Sequence, residues 1–205
     1  MKHFLIDSYI DSKLDIPNTI ATGLQQLFDV NDISDLSEND KNRISSVLKS
    51  LYATTSGTDY SNVNNEYALY YLPVNLYKIW RPLMDLLLTD SLPIKCRILE
   101  LGAGPGSATF GLLEFYKYLA IDNPVTEFSL HITLIERDTG FIEVFKKLYD
   151  GYADSLPENL SVNICCVHDD AYSFITLHES DKYQLVFESN MLNQNEYIDA
   201  DKIFS

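Results

Sequence analysis

Three glycines at alternate positions, Gly102, Gly104 and Gly106, follow the run Ile98-Leu99-Glu100-Leu101. Glycine at this spacing lets a chain leaving a strand turn sharply through positive φ, and the missing Cβ lets the backbone approach a ligand closely. That is the chemistry of a nucleotide loop. The spacing narrows the ligand, because a dinucleotide loop of the form G-x-G-x-x-G would place its third glycine at position 107, which is Ser107. A carboxylate two residues ahead of Gly102 would also repel a pyrophosphate, whereas it suits an amino or hydroxyl donor. Ser107 and Glu100 therefore both disfavour a nucleotide-dependent oxidoreductase.

The elements that must position this loop are an alternation of strands and helices. Apolar runs with period-two character predict strands over about 94–101, 128–136, 161–167 and 183–187. Between them lie helical patterns over about 107–120, around Phe141, Val144, Phe145, Leu148 and Tyr149, and over 171–178. Such alternation predicts an α/β fold, a doubly wound Rossmann-like parallel sheet with helices on both faces. In such sheets ligands bind beyond the carboxyl ends of the strands, near the point where strand order reverses. The strand ends supply Glu100 with the loop Gly102, Ala103, Gly104 and Gly106, then Glu136, then Asp170-Ala171, then Glu188-Ser189-Asn190.

Before residue 93 the pattern is helical. Ile20, Leu24, Leu27 and Phe28 share one face, and Ile44, Val47, Leu48 and Leu51 share another after a start signal at Ser37 to Asp40. A polar linker is expected over 54–65, and Pro73 and Pro82 are expected to divide the apolar stretch 67–88, each in a first helical turn. The chain thus divides into an N-terminal helical region, 1–92, and a nucleotide-binding domain, 93–205.

The segment Glu100-Leu101-Gly102-Ala103-Gly104-Pro105-Gly106 resembles motif I of the class I S-adenosylmethionine (AdoMet) dependent methyltransferases. The resemblance implies AdoMet as cofactor, with Glu100, Gly102, Ala103, Gly104 and Gly106 around its amino acid and ribose. It implies that Glu136 accepts both ribose hydroxyls, that Asp170 with Ala171 clamps the adenine, and that Glu188 faces the methyl group. Glu136 lies 30 residues past Gly106, against about 20 in a Rossmann unit, and an insertion at 121–127 absorbs the difference. A second likeness lies upstream. Tyr67-Ala68-Leu69-Tyr70-Tyr71-Leu72-Pro73, together with Leu185 to Leu192, is similar to the methyltransferase-like assembly factors of the mitochondrial small ribosomal subunit, which carry a basic residue where this chain has Tyr71. Glu188, Asn190 and Tyr71 are the candidates for handling an acceptor. That acceptor is open among a small molecule, a protein and rRNA, and an AdoMet-binding assembly scaffold with little turnover is the alternative.

Composition sets further bounds. In 205 residues, 30 Asp and Glu outweigh 15 Lys and Arg, for a formal charge of −15, which disfavours direct docking on nucleic acid. The four histidines show no paired metal-ligand spacing, so no metal is expected. Cys96, Cys165 and Cys166 fall in strand-like segments and read as buried thiols of a reducing compartment. The brief run Phe4-Leu5-Ile6 is too short for a leader or a membrane span, which points to the cytoplasm and away from a membrane. After the fourth strand only 15 residues, 191–205, remain, too few for three further strands at about 30 residues per strand-helix-strand unit. The expectation is an N-terminal portion of a longer protein, or pairing of the strand-four edge with another copy or partner.

Overall fold

The computed structural model describes residues 15–53, 62–178 and 181–188. Its helices are α1 (Asn18–Gln26), α2 (Glu38–Ala53), α3 (Asn64–Asn75) and α4 (Trp80–Leu88), with a short 3-10 turn at Ile33–Asp35. There follow β1 (Lys95–Leu101), α5 (Ser107–Asp122), β2 (Phe128–Glu136), α6 (Thr139–Ala153), β3 (Leu160–His168), α7 (Ala171–Leu177) and β4 (Leu185–Glu188). All pairings are parallel and the strand order is β3-β2-β1-β4. The chain therefore has the doubly wound α/β topology expected of it. Strand order reverses between β1 and β4, so a crevice opens at their carboxyl ends.

One face of the sheet, with Cys96, Ile98, Leu130, Ile132, Leu134 and Leu160, packs in the main core with α5 and α6. The N-terminal helices add a further layer: α1 and α3 lie on α6, and α3 and α4 lie on α5. Sandwiched between layers, α5 is buried without a break from Ser107 to Tyr116. Ile20, Leu24, Ala68, Leu72, Leu76 and Trp80 belong to the same core as the strands. The regions 1–92 and 93–205 thus share one apolar interior across their described residues. Trp80, wholly buried, donates from Nε1 to the Gly111 carbonyl at 2.8 Å and meets Phe115 edge-on at 5.3 Å. The opposite sheet face is covered near its carboxyl end by Ala171 and Phe174 of α7, against Leu99, Leu101 and Ile135.

Several local expectations need correction. Pro73 sits near the end of α3 rather than in a first turn, where its missing N–H forfeits one late helical bond and the chain turns before α4. Pro82, inside the first turn of α4, is placed as its chemistry prefers. Helix α3 begins at Asn64, inside the expected linker, whose residues 54–61 lie outside the described residues. Ser37 does cap α2, its Oγ accepting the Asp40 N–H at 3.1 Å, yet no residue of α2 whose side chain is described is buried. On α6 the expected face is the buried one, with Tyr149 packed partly buried against the core, and the fully buried Tyr152 adds to it. Strand four starts at Leu185, two residues late, because Gln184 uses its side chain and accepts the Arg97 N–H at 2.6 Å. Cys165 and His131 point to the less covered sheet face and are exposed, so only Cys96 is a buried thiol and Cys166 is intermediate. The segment 121–127, expected to be an insertion, begins in the last turn of α5 and is tied down by the Asn159 amide, which reaches the carbonyls of Ala120, Asn123 and Thr126.

Close approach of α5 to the turn before α4 gives a test of this layering. A Cβ on Gly111 would lie 1.8 Å from the Leu76 carbonyl oxygen, a backbone atom that cannot rotate away, while one on Gly151 would meet nothing within 4 Å. Gly111→Ala is expected to cost about 3 kcal/mol or more, and Gly151→Ala to stabilise by about 0.5–1 kcal/mol through helix propensity. Urea unfolding of the two variants checks this, and equal midpoints would contradict the packing.

Candidate functional site

The loop after β1 takes the backbone form its glycines permit. Gly102, Gly104 and Gly106 all have positive φ, at 64°, 54° and 84°. Each conformation would strain an L side chain by roughly 1–2 kcal/mol. A Cβ on Gly104 would project into open space, whereas one on Gly106 would strike the Phe145 ring of α6 at 2.3 Å. The middle glycine thus leaves a bare backbone cradle, and the third permits α6 to close on the start of α5. Ser107 and Ala108 continue directly into α5, which begins at the left-handed Gly106.

Glu136 holds this loop. Its Oε2 accepts the Gly104 N–H at 2.7 Å and its Oε1 accepts the Asp138 N–H at 2.9 Å. Glu136 is 9% exposed. Each oxygen makes one of these backbone bonds and a carboxylate oxygen has about two acceptor directions, so the group can still accept one hydroxyl on each. The Ala103 N–H donates to the Ile135 carbonyl at 3.1 Å, a second tie from the loop to β2. Asp138 then caps α6, accepting the Gly140 N–H at 2.8 Å.

Glu100 lies elsewhere. Its side chain is 0% exposed and its Oε2 accepts the hydroxyl of Thr109 in α5. Its Oε1 is buried without a hydrogen-bond partner. Burial pushes the carboxyl up to about 8, with nearby Glu136 adding to the rise and the Thr109 hydroxyl opposing it. It is therefore largely a neutral acid at pH 7. The sequence suggests a carboxylate presented to a ligand; the structure instead places this one beneath the loop, fastening β1 to the first turns of α5.

Asp170 caps α7, its Oδ1 accepting the N–H groups of Tyr172 at 3.0 Å and Ser173 at 3.2 Å. The residue is exposed, with buried Ala171 beside it. The neighbouring His168 Nε2 lies 2.9 Å from the Arg137 carbonyl, and the Asp169 N–H reaches the Glu136 carbonyl at 3.3 Å, so the β2 and β3 ends are joined. Glu188 ends β4 in register with Leu101. Tyr71 stacks on Tyr67 at 4.4 Å, and Tyr67 meets Phe141 edge-on at 5.0 Å. This aromatic group joins α3 to the start of α6, five residues beyond Glu136. Asn190 lies outside the described residues.

Sequence reasoning missed two participants. Thr109, the hydroxyl under Glu100, follows Gly106 by three residues, and that i+9 relation to an acid carries no recognisable signal. Asn64 packs against the start of α6, where a Cβ on Gly140 would lie 2.3 Å from its Oδ1; only its neighbouring tyrosines hint at that contact. Among the described residues no group of three or more His, Cys, Asp and Glu side chains converges as a metal site, and no helix is long and apolar enough to cross a membrane.

No protein-family model matches the chain, and no curated protein matches it at a significant level. Among solved structures it is similar to coclaurine N-methyltransferase bound to N-methylheliamine and SAH, at 17% identity and a TM-score of 0.33. The aligned part covers 82% of this chain and 49% of that one, so the chain spans about half the length of this neighbour. At that identity and overlap no residue-by-residue correspondence follows.

A raised Glu100 makes stability fall as pH rises. Between about 4.5, where the unfolded carboxyl ionises, and about 8, the folded chain holds a proton that the unfolded chain releases. Stability then drops by up to about 1.4 kcal/mol per pH unit and levels off above the folded value. Glu100→Gln, which cannot ionise, is expected to gain on the wild type steadily across that window. Thermal midpoints measured from acid to mildly alkaline pH check this, and parallel profiles for the two proteins would place the charge elsewhere.

Proposed function

We propose that the chain binds AdoMet on the glycine loop and serves methyl transfer. The observation that carries this reading is the pairing of Gly104 with Glu136 at the carboxyl end of the sheet. A left-handed glycine offers a cradle with no side chain, and beside it a carboxylate keeps acceptor capacity on each oxygen. These groups fit a nucleoside with two ribose hydroxyls, while a pyrophosphate would meet the Glu136 charge.

When bound, AdoMet would supply a methyl group on a sulfonium, which an acceptor takes as the S–C bond breaks and the sulfonium becomes a neutral thioether. The work left to the protein is positioning, exclusion of water and accommodation of the vanishing positive charge. In this reading Glu136 holds the ribose, Gly102, Ala103, Gly104 and Gly106 frame the amino acid end, and Asp170 accepts from the adenine amino group beside Ala171. Asp170 already uses Oδ1 as a helix cap, so its second oxygen is the one proposed for the base. Glu188 is the candidate base for an acceptor that must lose a proton, and Tyr71 and Asn190 are candidates for orienting it. The acceptor class stays open.

Losing a pair of charge-assisted hydrogen bonds costs roughly 1.5–3 kcal/mol or more, so Glu136→Ala is expected to weaken AdoMet about 10- to 100-fold by calorimetry. Asp170→Ala should weaken it less, since one contact is lost. Gly104→Val is expected to abolish binding while the far-ultraviolet dichroism stays native. If all three bind AdoMet like the wild type, the loop is not the cofactor site.

A further inference from the structure

We propose that Glu100 is a proton-releasing partner of a cationic ligand on the glycine loop: its neutral carboxyl ionises as the positive charge arrives. This rests on the AdoMet reading above and adds to it a role for a group no ligand can touch directly. The geometry is specific. Glu100 sits two residues ahead of Gly102 at the end of β1, fully buried, with Oε1 unpartnered and Oε2 bonded to the Thr109 hydroxyl. A buried, half-satisfied carboxyl is costly when charged and comparatively cheap when protonated. It is therefore poised to change state when its surroundings gain positive charge.

The groups facing it set the direction. From β2 comes Glu136, whose negative charge opposes ionisation of Glu100. From β3 the half-buried Cys166 interacts with it, and Lys146 of α6 acts in turn on that thiol. From α5 comes the Thr109 hydroxyl, a donor that favours the ionised form, and β4 places Phe187 in register without charge. The charge acting on Glu100 is the anion of Glu136, and the Thr109 donor opposes it. Thr109 alone does not keep the group ionised at neutral pH. AdoMet brings a sulfonium and an ammonium against one carboxylate, a net positive charge, and Coulomb attraction through the protein interior then lowers the cost of the Glu100 anion. The carboxyl O–H bond breaks, its electron pair stays on Glu100, and the proton passes to buffer. Binding coupled to proton release must strengthen as pH rises.

Calorimetric titration of AdoMet into the full chain, in two buffers of different ionisation enthalpy, counts the protons released. The ligand's own amino group titrates identically in wild type and Glu100→Gln, so the difference between them isolates this carboxyl. The wild type is expected to release more protons than E100Q and, from about pH 6.5 to 8, to gain about four- to eightfold more affinity than the variant gains. An infrared difference spectrum of the wild type should lose a protonated-carboxyl C=O band on adding AdoMet, a readout that survives even if E100Q fails to fold. Thr109→Val, which withdraws the donor that stabilises the anion, should release fewer protons than the wild type. Equal proton release in wild type and E100Q, or an infrared band unchanged by bound AdoMet, overturns the inference and leaves AdoMet binding intact. No binding of AdoMet to the wild type overturns the cofactor reading itself and this inference with it.

Discussion

The hydrogen bond from the Gly104 N–H to Glu136, 2.7 Å long, is the contact on which the site depends. It crosses from the β1 loop to the end of β2 and fixes a backbone segment that three positive-φ glycines would otherwise leave loosely determined. Glycine gives the loop access to its shape and adds conformational freedom in the unfolded chain. The carboxylate selects one conformation from that freedom. With Glu136 in place, the loop, the cap of α6 at Asp138 and the junction with β3 through Asp169 form one connected rim.

Beneath the rim the chemistry changes sign. Glu136, at the carboxyl end of β2, accepts two backbone donors, whereas Glu100, on the neighbouring strand, is enclosed, and burial favours its protonated form. Glu100 keeps its proton because burial disfavours its charge more than the single Thr109 hydroxyl can offset. Behind both lies α5, whose stretch from Ser107 to Tyr116 is buried on every side because the N-terminal helices cover what would otherwise be its solvent face. The helical region is therefore a structural support of the loop, with Trp80 holding the Gly111 carbonyl of α5, while from within the sheet domain Phe145 of α6 closes against Gly106.

The sheet was legible because period-two apolar runs and a glycine loop are local signals. Strand β2 spans Phe128–Glu136, as its alternation implies, and the helix starts at Ser107 and Ala171 follow from the residues just before them. What was not legible depends on contacts distant in sequence. The burial of Glu100 requires knowing that α5 and Thr109 fold over it, and the exposure of Cys165 requires knowing that the helices leave part of one sheet face open. Pro73 lies near the end of α3, where the following turn tolerates its missing N–H, and the local preference of proline for a first turn carries no sign of that. Helix α2 shows the opposite limit, since its apolar spacing is clear yet packing leaves Ile44, Val47 and Leu48 only partly covered.

A crystal structure of the chain grown with AdoMet tests the central claim most directly. The account predicts both ribose hydroxyls within hydrogen-bond distance of Glu136, at about 2.5–3.0 Å, with the Gly104 backbone against the ligand. AdoMet bound away from Glu136, or absent at saturating concentration, would contradict it.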